Sequence, residues 1–241
     1  MNLVLDFGNT RFKAGLFKAS ELVEQQSFYS IAELLQYIKG LNSVQHCLIG
    51  SVTGDHAEVL DFCSKKFETS LFKADTKTPL KNLYKSALTL GSDRIAAAVG
   101  AYSFFPAQNV LSIDAGTCIK YNFVNANNEY LGGAISPGIP MRLKAMNHFT
   151  HALPLVETDK NYEKLTGQNT QESLLSGALV GATCEVDAMV ERYQAQHKNL
   201  QVVFCGGDSD YLCKQVKNRF FANQHLILYG LNTILNFNLE N

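Results

Sequence analysis

One phrase occurs twice in this chain and limits its fold more than any other feature. It stands at residues 3–17 as LVLDFGNTRFKAGLF and at 111–124 as LSIDAGTCIKYNFV. Each copy reads as an apolar strand, then Asp-x-Gly-(Asn)-Thr, then an amphipathic strand. A phrase repeated at about half length predicts two related α/β lobes, with the two turns facing one another across a cleft. Chance likeness of two short phrases is the rival reading.

The rest of the chain reads as alternating strands and helices. Residues 2–6 and 11–17 form the first hairpin around Gly8. Residues 31–38 have helical spacing, 47–49 are a short buried strand, 57–67 look helical, and a strand lies near 70–73. The polar stretch KADTKTPLKNLYKSALTLGS reads as a loop over a surface. Residues 94–105 are apolar on nearly every side, so that helix belongs between layers, and Pro106 ends it. Its small residues Ala96, Ala97, Ala98 and Gly100 are candidates for a subunit contact. Strands follow at 110–113, 119–124 and 130–135, and Pro137 or Pro140 can start the next helix. Residues 171–194 form a long helix, 202–205 a strand, and 211–220 and 229–239 two more helices. The domain boundary falls between 108 and 109, giving lobes 1–108 and 109–241.

Composition removes several function classes. With 46% hydrophobic and 18% charged residues, the 241-residue chain is an ordinary globular protein rather than a disordered one. Lys+Arg (21) and Asp+Glu (22) nearly cancel, so no global field points to nucleic acid or an anionic membrane. The six cysteines make no Cys-x-x-Cys pair, which argues against a zinc or thioredoxin-type site and for thiols in a reducing compartment. The N-terminus has no basic region, Asp6 breaks its apolar stretch, and no apolar run reads as long enough to span a bilayer. The expectation is a cytoplasmic protein.

The turns can serve phosphate. Gly8 lets backbone approach an anion, Asn9 and Thr10 can donate to phosphate oxygens, and Lys13 adds positive charge. Asp6 would repel a bare phosphate, so its role makes sense with Mg²⁺ between them, through water. A plain hairpin with Asp6 bonding its own turn is the alternative. Asp-Phe-Gly at 6–8 is no protein-kinase signature, since no catalytic loop or glycine-rich loop can precede residue 6. Neither a P-loop nor a spaced G-x-G-x-x-G is present.

LGSDRIAAAVGAY (90–102) places Asp93 and Arg94 at the start of the buried helix. Asp93, beside the positive helix end, can accept a proton from a substrate hydroxyl. Arg94 can clamp a carboxylate with two hydrogen bonds. An aspartate capping its own helix and an arginine in a surface ion pair are the plainer alternatives. Gly132-Gly133 allow close backbone approach, and Gly206-Gly207 leave room for an adenine ring or simply start a helix. His148 and His151 read as surface residues.

Taken in order, Asp-x-Gly-Asn-Thr, Gly-x-Asp-Arg before an alanine-rich helix, Asp-x-Gly-Thr, and Gly-Gly-x-Ile-x-Pro-Gly resemble type III pantothenate kinase over nearly the whole chain. The resemblance implies the acetate-kinase, sugar-kinase, Hsp70 and actin fold, with two ribonuclease-H-like lobes and a cleft between them. It implies a homodimer acting on ATP and pantothenate, with Mg²⁺ and a monovalent cation, K⁺ or NH₄⁺. It places ATP phosphates on residues 6–13 and the nucleotide at Thr117. It makes Asp93 the general base and assigns pantothenate to Gly91, Ser92, Asp93, Arg94, Tyr84 and Thr170. It makes Asp114 the monovalent-cation aspartate. Relatives of this family are linked to transcriptional regulation, so a non-enzymatic protein of the same fold is one alternative, and a kinase for another small hydroxylated substrate is a second. The chain departs from the family where Thr-Ala-x-Thr is common, reading Thr117-Cys118-Ile119-Lys120. Lys120 points either into the cation site or away from it.

Overall fold

The computed structural model describes residues 1–8, 10–51 and 56–241. The chain divides into two compact units. The first is Met1–Gln108 with Asn122–Gly132 and His225–Asn241, and the second is Asn109–Tyr121 with Gly133–Gln224.

The first unit opens with β1 (Asn2–Phe7), β2 (Phe12–Lys18) and β3 (Glu21–Phe28). Every residue of β1 is buried, as befits a strand covered on both faces. β3 is missing from the sequence reading. Only Phe28 in it is buried, so it carries no apolar alternation to betray a strand. Helix α1 (Ile31–Gly40) begins at a capping box: Glu33 N–H donates to Ser30 Oγ, and the Glu33 carboxylate accepts from Ser30 N–H. Its Leu34 and Ile38 turn into the core. Next come β4 (His46–Ser51), α2 (Ala57–Ser64), β5 (Glu68–Leu71), the two-residue β6 (Lys81–Asn82) and α3 (Ser92–Phe104). The sheet order is β3-β2-β1-β4-β5, with β1, β4 and β5 parallel.

The second unit holds β7 (Val110–Ala115), β8 (Cys118–Val124), β9 (Glu129–Pro137), α4 (Ile139–Phe149), α5 (Thr170–Leu175), a π-helical turn (Ser176–Val180) and α6 (Gly181–Gln196). It continues with β10 (Gln201–Cys205), α7 (Ser209–Gln215) and β11 (Phe221–Ala222). Its strands run in the order β11-β10-β7-β8-β9, with β10 parallel to both neighbours. The outer half of the β8–β9 hairpin belongs to the first unit, where β6 pairs with Glu129 and Tyr130.

Helix α8 (Leu226–Glu240) returns to the first unit and packs on α3, β1 and β4. Two glycines allow the α3–α8 crossing. A Cβ on Gly100 would strike the Leu226 carbonyl, and one on Gly230 would strike the Ala96 carbonyl. This corrects one expectation: Ala96, Ala97, Ala98 and Gly100 are buried within the chain, and α8 rather than a partner subunit covers them. Leu228, Leu231, Ile234 and Leu235 fill the seam, each contributing about 1.5–3 kcal/mol of burial.

A second correction concerns the long helix. Thr170–Gln196 meets the length and composition of a membrane span, against the sequence reading, but half of that apolar window is buried inside the protein. Glu185 in its middle accepts from Ser136, Arg142 and Tyr121, so the helix serves the core of its unit.

Candidate active site

In the first unit the carboxyl ends of parallel β1 and β4 lie side by side, with Asp6 paired to Gly50 and Phe7 to Ser51. Such strand ends are where open α/β sheets bind ligands. Gly50 carries no side chain because Leu231 of α8 packs there, and an added Cβ would sit 2.9 Å from its Cδ2. Asp6 is 7% exposed and stands directly across from Lys13 on β2, which puts the two side chains on one face. Gly8 is half-buried and Thr10 exposed in the connecting loop, while Asn9 lies outside the described residues.

The amino end of α3 is tied to the same edge. Ser92 Oγ donates to the Ser51 carbonyl at 2.9 Å. Gly91 caps the helix, and Asp93 turns back over it: its Oδ1 accepts from Arg94 N–H at 2.9 Å and would lie 2.5 Å from a Cβ on Gly91. The carboxylate therefore sits on the positive end of the helix dipole. Both readings of Asp93 agree with this placement, since a base must also be held.

Arg94 is 6% exposed, so the surface ion pair does not describe it. Its Nε donates to Asn122 Oδ1 at 2.8 Å, Tyr130 OH donates to the same oxygen at 3.3 Å, and its guanidinium stacks 5.5 Å from the Tyr84 ring centre. Tyr84 also lies against Gly132, where φ is +99° and an added Cβ would be 2.9 Å from the ring. Beside this group a cavity of about 250 Å³ is lined by Ser51, Phe72, Asn82, Leu90, Gly91 and Ser92. The structure thus brings Tyr84, Gly91, Ser92, Asp93 and Arg94 together, and it adds Asn122 and Tyr130, which the sequence did not single out.

One more residue went unread. His225, just before α8, is pushed below the usual imidazole range by burial and then by the Lys13 charge.

The second unit places Asp114 at the end of β7, where it is 6% exposed and pairs in register with Cys205 of β10. Lys120 points toward it: Nζ lies 2.6 Å from Asp114 Oδ2. The other oxygen faces Gly206, where an added Cβ would stand 2.6 Å from Oδ1 and would also strike the Ala115 carbonyl. Gly206 therefore answers to the close passage of β7, with φ +91°. Thr117 is exposed at the turn, its carbonyl accepting from Gly138 N–H at 3.1 Å. Thr170 is exposed at the start of α5, after an Asn169 cap. Lys160 holds the turn after β10, its Nζ 2.6 Å from Asp208 and 3.0 Å from the Gly207 carbonyl. Glu185 would be pushed up by burial, but hydrogen bonds from Ser136 and Arg142 hold it below the usual carboxylate range. Burial, and then the Glu185 charge, push the Tyr121 phenol up. His148 and His151 are exposed, as expected, and no cluster of three metal-ligating side chains occurs among the described residues.

Comparison with known proteins agrees with these motifs. The family model described as type III pantothenate kinase matches residues 2–192. A type III pantothenate kinase from Christiangramia forsetii is 41% identical, covering 99% of this chain and 99% of its own. One from Cytophaga hutchinsonii is 38% identical over 99% of this chain and 100% of its own. Among solved structures, a ROK family glucokinase from Streptomyces griseus, in complex with glucose and AMPPNP, aligns with a TM-score of 0.55 at 12% identity. It covers 100% of this chain and 99% of its own. At that identity the likeness concerns the fold alone: the α/β architecture of actin-like ATPases and sugar kinases.

Proposed function

The chain belongs to the type III pantothenate kinase family, and from that premise we propose how its residues share the ATP-dependent phosphorylation of pantothenate, the first step of coenzyme A biosynthesis. Asp93 is the general base for the primary hydroxyl of pantothenate. The observation that carries this is its fixed carboxylate, held by Arg94 N–H over a glycine, on a helix start that Ser92 pins to β4. A base so held loses little freedom when substrate arrives.

The rest of the assignment follows from charge and reach. Arg94 pairs with the pantothenate carboxylate, its plane set by Asn122 and Tyr84. Gly91 and Ser92 line the neighbouring cavity that receives the substrate, and Tyr84 adds a contact. In the first unit, the backbone at Gly8 and Thr10 and the Lys13 ammonium take the ATP phosphates. Magnesium binds through one or two carboxylates, water and substrate phosphates. A single buried carboxylate, Asp6, meets that need without a protein cage. When bound with ATP, magnesium supplies charge neutralisation. The residues themselves orient the hydroxyl, take its proton and exclude water for an in-line transfer. We assign the working form as a homodimer in the reducing cytosol, a setting that suits six free cysteines.

The test is product formation. Purified chain with Mg-ATP and pantothenate yields phosphopantothenate by mass spectrometry, and Asp93→Asn lowers kcat by about 10²–10⁴-fold with the melting temperature retained. Full rate in that variant removes Asp93 from the chemistry. Product from a sugar but not from pantothenate replaces the substrate.

A further inference from the structure

The monovalent cation expected at Asp114 does not fit the residues present, and that disagreement has a chemical reading. We propose that the ε-ammonium of Lys120 is this chain's built-in monovalent cation, so that its kinase activity needs neither potassium nor ammonium. The inference rests on the pantothenate kinase reading for what the site serves, but the occupancy it asserts can be tested apart from that.

Three observations carry it. Lys120 Nζ lies 2.6 Å from Asp114 Oδ2, with side chains only 20% and 9% exposed. The opposite oxygen is closed off by Gly206, whose Cα approaches so closely that a Cβ would stand 2.6 Å away. The carboxylate thus has a cation on one oxygen and backbone against the other. An ion taking that first oxygen would have to displace the ammonium or stand beside a like charge, which disfavours it.

The chemistry matches as well. A lysine head group is an alkylated ammonium ion, with one unit of positive charge, three donors and the compact shape of a point charge. It meets carboxylate oxygen at about 2.7–2.9 Å, as a charge-assisted hydrogen bond does. Attached to β8, four residues from the Asp-x-Gly glycine, it is present at every turnover whatever the salt. Threonine is common in the family where this chain has Lys120, and a threonine oxygen would be a ligand for an ion rather than a replacement for one.

The experiment compares the full chain in choline chloride and in potassium chloride at equal ionic strength, with thallium(I) as the probe of a potassium site. Thallium binding is followed by calorimetry and ²⁰⁵Tl NMR, folding by melting temperature, and activity by phosphopantothenate formation. The wild-type chain is expected to bind no thallium, to melt within about 1 °C in both salts, and to keep its rate within about twofold. Lys120→Ala is expected to gain a thallium site, to melt higher in potassium, and to lose roughly 10²-fold in rate in choline, recovered by potassium, ammonium or methylammonium. If the alanine variant does not fold, Lys120→Met keeps the stem and removes the charge. Saturable thallium binding by the wild-type chain, or stimulation by potassium of about tenfold or more, overturns the proposal. So does a neutral variant that gains no thallium site. If no salt supports phosphopantothenate formation, the kinase reading fails, while the thallium and melting measurements still decide what occupies Asp114.

Discussion

The two hairpins spell nearly the same words and are built differently. In the first, β1 and β2 are joined by four residues, 8–11, and Asp6 and Lys13 stand as direct cross-strand partners. In the second, β7 and β8 are joined by only two residues, 116–117, and the Asp114–Lys120 ion pair closes over the strand end. The first connection is two residues longer than the second. The second turn is packed from outside by Gly138, where a Cβ would strike the Gly116 carbonyl, and its strand end by Gly206. One motif thus yields a longer connection flanked by facing Asp6 and Lys13 in one unit and a short, self-neutralised turn in the other.

The sharpest way to break this contrast is to neutralise each aspartate. Asp6→Asn is expected to cut kcat/KM by about 10³-fold, near 4 kcal/mol, with folding retained, because its charge serves the nucleotide's metal. Asp114→Asn is expected to act first on stability, costing about 1–3 kcal/mol in urea unfolding, because it leaves a half-buried ammonium facing a neutral amide. Equal rate losses at equal stability would make the two hairpins equivalent and end the distinction.

The glycines give the next effect. Gly138→Ala is expected to destabilise by about 1–3 kcal/mol, since the new methyl meets backbone that cannot move aside. Gly8→Ala, whose Cβ would come 3.3 Å from the Arg11 carbonyl, is expected to cost under about 1 kcal/mol. The urea midpoints of the two variants compare them directly.

The smallest effect concerns pH. His225 titrates below its ordinary value in the folded chain, through burial and the Lys13 charge. Its contribution is therefore fully present above the unfolded histidine value and is lost as pH falls through the lowered one. Lys13→Met removes part of the cause and should flatten that acid-side decline by less than about 1 kcal/mol after solvent screening. A melting-temperature series from pH 7.5 to 5 checks the slope. An unchanged profile would mean that Lys13 does not reach His225.

Much of this was legible in residue order because the signals were local. Strand apolarity, the Asp-x-Gly turns, the apolar-all-round helix α3 and Pro106 after it each announce themselves within a dozen residues. The elements that escaped lacked a local signal. β3 is a polar edge strand with a single buried side chain. α7 ends at Gln215, short of the Phe220 that the sequence reading expected, and Phe221 and Ala222 pair instead with β10, a contact no local pattern marks. Asn122, Tyr130 and His225 join the site region from strands and helices far along the chain, so no window around Asp93 or Lys13 contains them.

The amino-acid order by itself determined which carboxylates end strands, which glycines leave backbone open, and which helix must be buried, because these depend on neighbours only a few bonds away. Folding in three dimensions decided what those groups face. Strand parity puts Lys120 on a face with Cys118 and Asn122, but only the register of β8 against β7 and the passage of β10 bring its ammonium onto Asp114. Likewise the small side of α3 was plain in the sequence, while its covering by α8 had to await the return of the last helix. A long-range contact pays its loop-closure entropy only once the whole chain has assembled, so no local pattern encodes it.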